Sequence, residues 1–201
     1  MRQVGSRRAG FIAGLFAATL IAAGCGAEPS DPTTSATIAS AAVAESVAAT
    51  ETTVMGEDDV EVALTGPLAV KYASATDAQR KALGKPLTGD RNAGTRESGV
   101  VYQQFRGGVI IAKNSDPATP GYIVTSGRIR DAWNTERGPD GVPMLLGSNG
   151  SAGPLGVPTS DVTVDGDLEV VTFEHGKIIE NTTTGEVTVT VNGKTVPSGL
   201  D

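Results

Sequence analysis

One cysteine, one histidine and eight aromatic residues among 201 leave most familiar catalytic and metal-binding chemistry without its parts. A lone Cys25 closes no intrachain disulfide, and Cys25 with His175 is too small a set for a zinc cage built from the usual ligands. His175 would have to gather a serine and an aspartate for a nucleophilic relay, and no Gly-x-Ser-x-Gly elbow occurs. Cations are scarce too. Sixteen Lys and Arg stand against 23 Asp and Glu, a net charge of −7, which argues against nucleic acid as a partner. The stretch from Asp161 to Gly166 begins like a calcium loop, but Thr172 stands where a bidentate Glu is required. Residues 147–151 are Gly- and Ser-rich and read as a flexible loop; they lack the Lys-Ser/Thr that makes such a loop a phosphate cradle. These absences lead us to expect no catalytic residues, no metal and no cofactor.

What is present begins at the N-terminus. Arg2, Arg7 and Arg8 precede an apolar run over residues 11–23, too short to span a bilayer and the right length for a secretory signal. Ala22-Ala23-Gly24 then leads into Cys25, which resembles the lipobox of bacterial lipoproteins, with Ala22 where that family usually has Leu. The resemblance implies cleavage of residues 1–24, acylation of Cys25 and anchoring at the extracytoplasmic face of the plasma membrane; two acyl chains suffice for stable anchoring. The alternative is an ordinary cleavable signal that leaves Cys25 unmodified. After cleavage the balance is 13 bases against 23 acids, a net charge of −10.

Residues 25–66 are rich in Ala, Ser, Thr and acids, with no aromatic residue. Such a composition predicts a lipidated Cys followed by a flexible acidic linker, with at most a transient helix over 39–49. All six aromatics beyond the signal fall in residues 67–201, where a small core can form. Pro67 suits a first helical turn, with Leu68 and Tyr72 on one face; Thr76 and Gln79 form a capping box for a second helix that Gly84 closes. Strands are expected over 100–105, 109–112 and 122–125, then a short helix over 128–134. Strands over 162–164 and 168–173 flank Asp165-Gly166, and 187–191 turns at Asn192-Gly193 toward 195–196. The expected fold class is a β-rich α+β domain behind a disordered N-terminal tether.

An internal repeat carries the most information. Leu83-Gly84-Lys85-Pro86 recurs as Leu155-Gly156-Val157-Pro158, and Phe105 to Ile110, with Gly107-Gly108, is echoed by Phe173 to Ile178, with Gly176. Leu68 to Tyr72 has the same four-residue step as Ile129 to Trp133. Offsets of 72, 68 and 61 residues place an insertion around 137–153. With these residues the chain resembles the LGFP repeat of actinobacterial envelope proteins. Copy one spans about 68–133 and copy two about 129–191; in the second, His175 replaces a Gly and no Trp or Tyr follows Gly185.

The resemblance implies two units of short helix plus β-hairpins and a noncatalytic role in cell-envelope attachment. It also implies a wall polysaccharide, such as arabinogalactan, as partner. Scaffolding an envelope protein is the alternative. For Trp133, Tyr122 and Tyr102 a core role and a sugar-stacking role both stand, the latter beside Arg128 or Asp131. Leu83, Gly84, Pro86, Phe105 and Gly108, with Leu155, Gly156, Pro158, Phe173 and Gly176, are read as structural. Asp90 and Asp161 are read as carboxylates that accept backbone N–H groups in a turn.

Overall fold

The computed structural model describes residues 50–200. The signal-like segment, Cys25, the transient helix over 39–49 and most of the expected linker lie outside the described residues. Within the described part of that linker the chain is folded, which corrects the boundary at residue 66. β1 (Glu51–Met55) and β2 (Glu61–Thr65) pair as an antiparallel hairpin around a 3-10 turn, Glu57–Asp59. The reason is alternation: Val54, Val62 and fully buried Leu64 point inward while their neighbours face water. Averaged composition hides that period of two.

Two helices follow, α1 (Pro67–Ser74) and α2 (Asp77–Leu83). Thr76 Oγ1 accepts from Gln79 N while Gln79 Oε1 accepts from Thr76 N, so both halves of the capping box form. A four-stranded antiparallel meander comes next: β3 (Ala93–Thr95), β4 (Val101–Phe105), β5 (Gly108–Ala112) and β6 (Gly121–Thr125). Then come α3 (Arg128–Asn134) and a hairpin of β7 (Thr135–Arg137) with β8 (Pro143–Ser148). The loop expected over 147–151 is instead the end of β8 and a 3-10 turn, Gly150–Ala152. A second antiparallel sheet completes the molecule: β9 (Thr163–Asp165), β10 (Leu168–Phe173), β11 (Gly176–Asn181), β12 (Val187–Val191) and β13 (Lys194–Val196), in spatial order β13-β12-β11-β10-β9. The chain is thus β-rich with three helices among the described residues.

The two sheets close their Leu-Gly-x-Pro segments in the same way. In the first, Gly107 N donates to Leu83 O, Arg106 N to Lys85 O and Leu87 N to Gln104 O. In the second, His175 N donates to Leu155 O, Glu174 N to Val157 O and Thr159 N to Thr172 O. Pro86 bridges to Phe105 as Pro158 does to Phe173. Gly84 and Gly156 take φ of 69° and 76°, a conformation costly for any side chain. The aromatic partners correspond as well: Tyr72 stacks on Phe105 at 5.9 Å, and Trp133 lies against Phe173 at 5.7 Å.

Two cores result. One holds Leu64, Leu68, Leu83, Phe105, Ile110 and Ile123 beneath α1 and α2. The other joins Val109, Ile111 and Val124 of the first sheet to Ile129 and Trp133 of α3 and to Leu155, Phe173, Ile178 and Val189 of the second sheet. All five residues of β5 are buried, because that strand is covered on both faces; its unbroken apolar run is what such a position demands.

Candidate functional site

The seam between the two sheets holds a groove of about 470 Å³. One wall comes from the first sheet: Lys113, Thr119 and Pro120 from the loop after β5, and Tyr122 from β6. The facing wall is the second Leu-Gly-x-Pro segment, through Val157, Pro158 and Thr159, with Glu174 and His175 from the turn between β10 and β11. The loop is held in shape by its own side chains. Asn114 Oδ1 accepts from Asp116 N at 2.9 Å and from Thr119 Oγ1 at 2.6 Å.

An ion pair crosses the seam, with Lys113 Nζ 2.6 Å from Glu174 Oε1. Glu174 Oε2 also accepts from Val157 N at 3.2 Å. The Lys113 hydrogen bond, helped by Val157 N and opposed by burial, holds the Glu174 carboxyl below its usual range. Thr159 Oγ1 and Thr172 Oγ1 share a hydrogen bond of 2.9 Å.

Behind the groove, Asp161 pins the two walls together. Its Oδ1 accepts from Ile123 N at 2.8 Å, and its Oδ2 from Lys71 Nζ at 2.5 Å and Gln79 Nε2 at 2.9 Å. Asp161 therefore accepts a backbone N–H from across the seam, where the sequence suggested a bond within its own turn. Because Ile123 adjoins Tyr122 and Asp161 lies two residues beyond Thr159, this pin fixes the separation of the ring from the hydroxyl. The groove offers an aromatic face, a hydroxyl and a charged fork around an apolar floor, which suits a polar, uncharged ligand with several hydroxyls.

Of the five residues proposed from sequence as ligand contacts, Tyr122 reaches this groove. Trp133 is 5% exposed, and its Nε1 donates to Gly156 O at 3.1 Å, so its ring belongs to the second core. Tyr102 is half-buried elsewhere, with its hydroxyl donating to Arg91 O and Arg96 5.1 Å above its ring. Arg128 and Asp131 are exposed on α3 and do not line the groove. Lys113, Thr159, Glu174 and His175 were not singled out as contacts. A signal existed: in the two-copy alignment read from the sequence, Glu174-His175 falls where Arg106-Gly107 stands, and that difference lies at the groove.

Among the described residues no helix is long and apolar enough to cross a membrane, and no three of His, Cys, Asp and Glu lie together as a metal site. No curated protein matches the chain. From the Leu83-Gly84 segment through α3 and into the turn of the β7–β8 hairpin, residues 83–141 match the LGFP repeat family.

Proposed function

We propose that this chain is a noncatalytic envelope lipoprotein, anchored through Cys25 at the extracytoplasmic face of the plasma membrane, that binds cell-wall polysaccharide and so links membrane to wall. The observation that carries this reading is the LGFP match over residues 83–141. Residues 155–191, which repeat the hydrogen bonds around Leu83 and Pro86, are a second LGFP-like unit in this reading. The groove between the units supplies suitable chemistry. A sugar ring presents apolar C–H groups to Tyr122 and hydroxyls to Thr159 and the Lys113–Glu174 fork. An arabinogalactan-type polymer of an actinobacterial wall is the ligand we would test, with no nucleic acid and no cofactor involved.

The test is co-sedimentation of the folded, unacylated Cys25→Ser protein with delipidated wall, intact or stripped of arabinan. Saturable binding that is lost on stripping and weakened roughly tenfold, about 1.4 kcal/mol, by Tyr122→Ala is the expected result. A folded protein that ignores both preparations sinks the polysaccharide reading and turns attention to an envelope protein as partner.

A further inference from the structure

The β7–β8 hairpin ends its second strand in an apolar projection that neither core uses. Thr135 pairs with Ser148 and Arg137 with Pro143, so Glu136 alone stands opposite Met144–Gly147 and the β8 backbone bulges outward. Met144, Leu145 and Leu146 are 55%, 101% and 86% exposed. Three consecutive large apolar side chains in water are a liability unless something covers them. The whole stretch of residues 141–160 carries no charge, in a chain whose net charge is −7. Asp140 and Asp161 bound that stretch in sequence, and in space the Glu136 carboxylate lies against Gly147 at the end of the bulge.

We infer that this bulge is a membrane-contact loop that inserts into the headgroup region of the bilayer. The inference rests on the lipid-anchor reading of Cys25. The segment between Cys25 and Thr50 reaches at most about 85 Å, against a diameter of roughly 40 Å for a globule of this size. Any face can therefore meet the bilayer, and the apolar loop selects which one does. A second copy is the weaker occupant, because three side chains cover far less than the roughly 800 Å² per partner of a stable interface. At interfacial depth, lipid headgroups and water still serve the backbone of the bulge, while the side chains reach the acyl boundary. Because the loop carries no cation, its insertion needs no anionic lipid and is not weakened by salt.

The test uses the acylated full chain in phosphatidylcholine vesicles whose acyl chains are brominated. Leu145→Trp is compared with Val164→Trp, a position 70% exposed on β9; buried Trp133 is common to both. The expected result is a blue-shifted, strongly quenched indole for Leu145→Trp and no quenching for Val164→Trp, unchanged at high salt. Protein that floats with the vesicles while neither indole is quenched overturns the loop and leaves the anchor standing. Protein that fails to float overturns the anchor and this inference with it. A blue shift without lipid, accompanied by a doubled mass, overturns it in favour of self-association.

Discussion

Asp161 holds three donors with a single carboxylate, Ile123 N of β6, Lys71 of α1 and Gln79 of α2, and Lys71 is only 16% exposed. Asp161→Ala would leave a backbone N–H, an amide and an ammonium without an acceptor at the seam. We expect a loss of about 1–3 kcal/mol, read as a lower urea midpoint at unchanged slope. Glu174 makes a different prediction. Its carboxyl titrates lower in the folded chain than when free, so its contribution is fully present above the ordinary glutamate range and is lost as pH falls through the folded value. Melting temperature should therefore fall on acidification more steeply in the parent than in Glu174→Gln, which has no carboxylate to protonate. An equal slope in the two proteins would show that the Lys113 pair adds nothing to folding. Arg137 is a third kind of residue. Its guanidinium is buried and gives its protons to carbonyl oxygens, Ala132 and Gly141 nearby and Pro197 and Ser198 of the C-terminal segment. It ties the end of the chain to the end of α3.

At the scale of elements, the sequence was legible wherever local chemistry and tertiary demand agree. The capping box at Thr76, the α3 boundaries and the turn at Asn192-Gly193 needed no knowledge of the rest of the fold, whereas the turn expected at Asp165-Gly166 falls one residue later, at Gly166-Asp167, because Asp165 pairs with Leu168. Thr76→Ala should cost about 1 kcal/mol, measurable by thermal melting, because it removes the side-chain acceptor of Gln79 N, one of the two capping-box hydrogen bonds, from a helix of seven residues. The hairpin of β1 and β2 was hidden because its alternating residues include Thr and Ala among acids, which reads as tether in composition alone. The β7–β8 hairpin was hidden because its ladder is interrupted opposite Glu136. The groove was harder still. Its walls come from segments far apart in sequence, and only the mismatch at Glu174-His175 in the alignment of the two Leu-Gly-x-Pro segments pointed there. Trp133 carried the opposite lesson: an aromatic that a repeat motif makes conspicuous was needed inside, against Phe173.

At the scale of the whole molecule, the sequence match and the packing unit do not coincide. The matched residues 83–141 include α3, yet Ile129 and Trp133 of that helix are buried in the core shared with the second sheet. The first sheet is served likewise by α1, whose Leu68 precedes the matched segment. Each sheet thus takes its helix from the stretch of chain before its own Leu-Gly-x-Pro. A chain cut after residue 141 should therefore fail to fold cooperatively, since Val109, Ile111, Val124 and Trp133 would lose their cover. The intact chain should melt in one transition by circular dichroism. Two separate transitions in the intact chain would contradict the shared core.

The two central strands also live under different constraints. β5 is pressed between layers, while β11 presents Lys177, Ile179 and Asn181 outward on partly or fully exposed positions. A buried position admits few side chains and a wetted one admits many. The second sheet is therefore where substitutions cost least and new surface chemistry can be written without reopening the fold. The first works as the fixed plate behind it.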